Sequence, residues 1–201
     1  MRNFASMKRV LLWLLPLTIT VAGCGGKKGH ENEHESGAAK KVVAEPTGPR
    51  FEVDSKFQGQ LSAAFEAYLK LKDAFVASDA EEARAAAAQA QAVLTGIDGN
   101  DLTGAAENDW NAYRAGMAQA LDGIKNESDL ENQRELFSDL TASMYESVKA
   151  FGLGGGIAYY EYCPMAFDNQ GGYWLSDSEI IRNPYFGDEM LACGSVQEKL
   201  R

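Results

Sequence analysis

The chain has 201 residues, a formal charge of −10, 45% hydrophobic and 24% charged residues, which is the balance of one ordinary globular domain and not of a disordered or fibrous chain. A pI near 4.7 leaves no broad basic surface to neutralise phosphates, which argues against nucleic-acid binding. Both histidines, His30 and His34, precede residue 35, so a Ser-His-Asp or Cys-His catalytic set, a three-histidine zinc site and a His-ligated haem are excluded from the rest of the chain.

The chain begins with Arg2, Lys8 and Arg9, continues through an apolar run from Val10 to Val21, and reaches Ala22-Gly23-Cys24. That order reads as a signal peptide over residues 1–23, too short and wrongly flanked for a transmembrane helix. Its end, Val21-Ala22-Gly23-Cys24, resembles the bacterial lipobox. The resemblance implies cleavage before Cys24, lipidation of the Cys24 thiol and a periplasm-facing protein held to the membrane by a lipid anchor. Gly25 rather than Asp at the next position implies the outer membrane. Cleavage would remove three positive charges and no acid, taking the net charge from −10 to −13. Acyl chains hold such a protein at about 0.8 kcal/mol per buried methylene, without a spanning helix.

Residues 24–54 are rich in Gly, Lys, Glu and Pro and read as the lipidated cysteine followed by a flexible tether. His30-Glu31-Asn32-Glu33-His34 lies in this stretch and reads as solvated linker. From Ser55 a helical period sets in. Leu61, Ala64, Phe65, Tyr68, Leu71 and Phe75 recur three or four apart and predict a first helix to about Ala77. Ser78, with Glu81 and Glu82 behind it, predicts the cap of an alanine-rich second helix that Gly96 and Gly99 end. Trp110, Met117, Leu121 and Ile124 mark a third helix, and Leu136, Phe137, Leu140, Met144, Val148 and Phe151 a fourth, with Asp101 and Ser128 as caps. Four helices joined by short connections over residues 55–151 predict an all-α fold, an antiparallel up-down four-helix bundle.

Gly152, Gly154, Gly155 and Gly156 break the pattern. Residues 152–201 are too few for an independent domain and are expected to pack on the bundle as an irregular glycine- and aromatic-rich segment. Ala158 to Tyr162 reads as a short strand, Ser176 to Ile181 as a short helix or turn, and Asn183-Pro184 as a turn. The acids of this segment (Asp168, Asp177, Glu179, Asp188, Glu189) read as loop and cap residues, because no imidazole or nucleophile accompanies them. Its glycine clusters lack the lysine of a phosphate loop.

With Cys24 assigned to lipid, one cysteine pair is left, Cys163 and Cys193, and each travels with a methionine, in Cys163-Pro164-Met165 and Met190-Leu191-Ala192-Cys193. Pro164 predicts an extended tripeptide in which Cys163 and Met165 point the same way. A helical turn would bring Met190 and Cys193 to one face. Two readings follow. Cys163, Met165, Met190 and Cys193 form a soft sulfur site selective for Cu(I) and, by analogy, Ag(I). Alternatively Cys163 and Cys193 are joined by a disulfide in an oxidising compartment, which would stabilise the segment by roughly 3 kcal/mol.

The tail, with Tyr162-Cys163-Pro164-Met165-Ala166-Phe167, Trp174-Leu175-Ser176, Ile181-Arg182-Asn183-Pro184-Tyr185-Phe186-Gly187-Asp188 and Met190-Leu191-Ala192-Cys193-Gly194, resembles a periplasmic domain of unknown function. That domain occurs in small exported proteins and lipoproteins and is appended to adaptor subunits of heavy-metal efflux pumps. The resemblance extends more loosely through Tyr68-Leu69-Lys70-Leu71-Lys72-Asp73-Ala74-Phe75, so it covers about residues 55–198. Tyr162-Cys163-Pro164-Met165 is also similar to short heavy-metal-binding modules, with Cys163 and Met165 matching and Ala166 replacing the histidine of that pattern. The resemblance implies a role in copper or silver handling with an efflux adaptor as partner. Two functions compete. One is capture or delivery of Cu(I) or Ag(I) without catalysis. The other is a non-catalytic interaction module in which a Cys163–Cys193 disulfide fixes an aromatic surface of Tyr162, Tyr173, Trp174, Tyr185 and Phe186. An enzyme is not expected, because the acid–base and nucleophile inventory is poor.

Overall fold

The structure is a computed structural model that describes residues 48–201. The signal segment, the lipidation residue Cys24, and the tether up to residue 47 with His30 and His34 lie outside the described residues.

Four long helices dominate. The first, α1, is Ser55–Val76, started by Asp54, whose carboxylate accepts from the Phe57 amide at 2.8 Å. It buries Leu61, Ala64, Phe65, Tyr68, Leu71 and Phe75, the stripe that the periodicity predicts. The second, α2, is Ala80–Thr95, and its cap is Asp79 rather than Ser78. The Asp79 carboxylate accepts from the amides of Glu81 and Glu82, while Ser78 sits in a left-handed turn at φ 55°. An aspartate one position later competes better for two orphan amides than a serine does. The third helix, α3, is Ala105–Asn126, and it starts from Gly104 without a side-chain cap, so Asp101 plays no capping part. The fourth, α4, is Leu130–Phe151, capped by Asp129 and not by Ser128.

Successive helices pack side by side, and rings close α1 onto α4: Tyr68 stacks on Phe137 at 5.1 Å and Phe75 meets it at 4.9 Å. Met117 and Met144 lie in this helical core, where the stripe demands apolar bulk. The arrangement is bundle-like, as expected.

The expectation of an all-α protein is corrected by the segment after Phe151. It forms a three-stranded antiparallel sheet of β1 (Ala158–Cys163), β2 (Gly172–Ser176) and β3 (Ser195–Leu200), in the order β2-β1-β3. Only β1 is legible in the sequence. At five and six residues, β2 and β3 are too short to show a period, and β3 (Ser-Val-Gln-Glu-Lys-Leu) carries few strand-favouring side chains. Its ladder with β1 is also interrupted by a bulge between Tyr160 and Glu161.

Two tyrosine hydroxyls of the core seal the edge of β2. The Leu175 amide donates to the Tyr68 hydroxyl at 3.0 Å, and the Tyr185 hydroxyl donates to the Tyr173 carbonyl. Backbone groups that would otherwise stand as an open sheet edge are thereby satisfied. Tyr68 also bonds Thr141 of α4 at 2.7 Å, so one hydroxyl links α1, α4 and the sheet. The core is continuous across both parts, with Trp174, Leu175, Ala158 and Leu200 in the same apolar cluster as the helix stripes. Among the described residues no helix is long and apolar enough to cross a membrane.

Candidate metal centre

The β1 strand ends at Cys163, which is fully buried. Cys193 stands just before β3, at the end of a turn in which its amide donates to the Met190 carbonyl at 2.9 Å. Pairing of Tyr162 with Ser195 places the two cysteines at the same end of the sheet. Both are free thiols, within hydrogen-bonding reach of each other. Burial and the neighbouring Cys163 thiol push the Cys193 thiol up to about 11, so Cys193 is protonated at neutral pH and a metal must displace its proton.

Several contacts hold Cys193 in place. The Asn183 side-chain amide, itself fully buried, donates to the Cys193 carbonyl at 2.8 Å, and the Asn183 backbone amide donates to the Leu191 carbonyl at 2.9 Å. The turn after Cys193 needs glycine: Gly194 has φ +149°, and a Cβ there would lie 2.7 Å from the Trp174 ring.

The methionines take a different place. The chain turns at Pro164 instead of staying extended, and Met165 has helical angles (φ −92°, ψ −12°), so its side chain is 47% exposed while Cys163 is buried. Proline tolerates either outcome, since it restricts its own φ and the residue before it but not the residue after. Met190 has φ −144° and ψ 50°, so the expected helical turn to Cys193 is a single reverse turn. Met165 and Met190 line one cavity of about 440 Å³ together with Glu131, Glu135 and Asp168, and neither cysteine contributes to its wall. The four predicted sulfurs thus form two pairs, a dithiol of buried Cys163 and half-buried Cys193 and a dithioether of exposed Met165 and half-buried Met190. Among the described residues there is no cluster of three or more His, Cys, Asp or Glu side chains placed to hold a metal.

Three residues on the cavity wall, Phe167, Asp168 and Asn169, are left-handed at φ 52°, 54° and 67°. Left-handed backbone costs an L residue about 1–2 kcal/mol, most awkwardly for a phenylalanine. Such strain persists only where surrounding packing enforces it. Here Phe167 packs edge-on against Tyr185 at 4.9 Å.

Arg134 lines the same cavity, buried and fully engaged. It donates to the Pro184 carbonyl at 3.0 Å, to the Phe75 carbonyl at 3.4 Å, to the Ser78 hydroxyl at 3.0 Å and to Glu131 at 2.5 Å. It therefore ties the loop of the sheet region to the end of α1 and is committed to structure.

Glu161 escaped the sequence reading. It is fully buried on β1, two residues before Cys163, and neither carboxylate oxygen has a well-formed hydrogen bond. Burial pushes its carboxyl up to about 8, against a weaker opposing pull from the Trp174 indole N–H that faces it and from Lys72. A lone glutamate in a tyrosine-rich strand gives no sequence signal of this kind.

Of the predicted aromatic surface, Trp174 and Tyr185 are core residues, buried at 0% and 4% exposure. They hold the sheet on the helices and offer no docking face. Tyr173 is exposed and Tyr162 and Phe186 are half-buried. Tyr162 and Tyr173 join Tyr160 and Tyr145 in a row of contacting rings at 4.4, 4.7 and 4.0 Å.

Residues 64–156 match the model of a family described as a protein of unknown function (DUF3347). The match covers most of α1 and all of α2, α3 and α4, and it stops short of the sheet and the four sulfurs. No curated protein and no solved structure matches the chain.

Proposed function

We propose that the protein binds soft monovalent metal ions, Cu(I) or Ag(I), at the Cys163–Cys193 thiol pair and serves as a lipid-anchored, periplasm-facing carrier that delivers them to a heavy-metal efflux adaptor. The observation that carries this reading is the convergence of two free thiols, one buried and one half-buried, at one end of the sheet, with thioethers two and three residues away along the chain. Two thiolates suit a soft d10 cation and disfavour a hard one, and the described residues hold no imidazole to recruit a borderline metal. No catalytic step is assigned to the site. The lipid anchor rests on the lipobox resemblance at Cys24, and the efflux partner on the resemblance of the tail.

Thiols this close can also oxidise to a disulfide. The competing reading is an interaction module of the cell envelope whose tail that bridge would fix, presenting Tyr162, Tyr173 and Phe186. Titrating the reduced protein with Cu(I) under anaerobic conditions separates the two. Metal carriage predicts about one Cu(I) per chain held at the thiol pair with release of thiol protons, a component that Cys193→Ser abolishes. A chain that keeps a Cys163–Cys193 bridge under mild reductant and takes up no metal once fully reduced would favour the module.

A further inference from the structure

We infer that the cavity between the turn after β1 and the start of α4 is a second soft-metal site, in which the thioethers of Met165 and Met190 bind Cu(I) or Ag(I) independently of the thiol pair. The inference rests on the metal-carrier reading for the identity of the ion, but it stands on its own geometry. Two methionines 25 positions apart in sequence line one cavity of about 440 Å³, open enough to leave Met165 47% exposed. The other described methionines, Met117 and Met144, are both buried in the helical core and have no access to an ion. Arg134 also lines the cavity but is paired with Glu131, so Glu135 and Asp168 leave the wall with an acidic balance that draws in cations.

The donors select the guest. A neutral thioether has little affinity for a hard or borderline divalent ion in water but is a good ligand for a soft monovalent one. The turn that carries Met165 is also the left-handed stretch Phe167 to Asn169, held by packing of Phe167 on Tyr185. A strained segment fixed by its neighbours is a common way to hold a ligand clamp in place. Met165 is reachable from solvent where Cys163 is buried, so the same ion can dock at the thioethers first.

The two sites differ in proton chemistry, which makes them separable. Thioethers carry no titratable proton, so binding there releases none. Binding at the thiols releases protons and strengthens by roughly tenfold per pH unit for each proton displaced. The test is titration of the reduced full chain with Ag(I), read by the methionine methyl resonances and by proton release at pH 6 and pH 8. In the Cys193→Ser variant, about one Ag(I) is expected to remain bound, shifting the Met165 and Met190 methyls, leaving Met117 and Met144 unmoved, and changing in affinity by less than about threefold between the two pH values. In Met165→Leu/Met190→Leu, which keeps both thiols and the apolar bulk, this pH-independent component is expected to fall at least tenfold while the proton-releasing one persists. Unmoved Met165 and Met190 methyls in Cys193→Ser would overturn the inference. If the wild-type chain still released protons on binding Ag(I), that result would leave the thiol site standing. Shifted methyls without proton release in the wild type would do the reverse, supporting the thioether site and removing the thiol one.

Discussion

Glu161 is a carboxyl placed where its charge is poorly supported, buried on β1 beside Trp174 with its oxygens lacking well-formed hydrogen bonds. Its folded value of about 8 lies above the unfolded value near 4.3, so in the window between them the folded chain holds a proton that the unfolded chain has lost. The stability this contributes is complete below about pH 4 and is lost as pH rises to about 8. Glu161→Gln removes the titration. The variant is expected to gain melting temperature relative to wild type as pH goes from 5 to 8, read by thermal unfolding at several pH values. A constant difference across that range would show that Glu161 ionises normally. Tyr68 offers a second test at the same scale. Phe at this position keeps the ring stack on Phe137 but leaves the Leu175 amide without its acceptor, at a cost of about 1–3 kcal/mol, measurable by urea denaturation.

At the scale of elements, the helices follow from sequence and the sheet does not. The apolar stripe of α1 repeats often enough over 22 residues to define a face, whereas β2 offers five residues and β3 six. Caps were legible to within a residue or so for α2 and α4, because serine and aspartate are adjacent there and both can accept an amide hydrogen bond. The start of α3 at Gly104 carries no such chemistry and could not be read. At the candidate site, the meeting of Cys163 and Cys193 was legible from their isolation as a pair. The separation of the methionines was not, because it depends on a turn at Pro164 that local preference leaves open. Gly194 tests how tightly this corner is built. Ala at this position would need φ +149° and would push a methyl into the Trp174 ring, so Gly194→Ala is expected to destabilise the protein by about 1–3 kcal/mol and to loosen Cys193 from Cys163. Denaturation midpoints give the first effect and faster alkylation of Cys193 the second.

Over the whole molecule, Arg134 and Tyr68 are the bolts between the helices and the sheet region, one gripping the Pro184 carbonyl from α4 and the other the Leu175 amide from α1. Arg134→Met would keep much of the packing volume but leave the Pro184 and Phe75 carbonyls without a charged donor, with an expected loss of about 2–3 kcal/mol in chemical denaturation. Helices 64–156 match a family of unknown function, and the sulfurs lie beyond that match on a sheet bolted to those helices. In the proposed reading the helices are the platform and the sheet the working end. The account stands or falls on whether that end takes up a soft metal. Anaerobic titration of the fully reduced protein with Cu(I), with Cys163→Ser and Cys193→Ser alongside, tests this most directly. The account predicts tight binding by the wild type with release of thiol protons, and loss of the proton-releasing component in both variants. A reduced wild-type chain that binds no stoichiometric Cu(I) would contradict it.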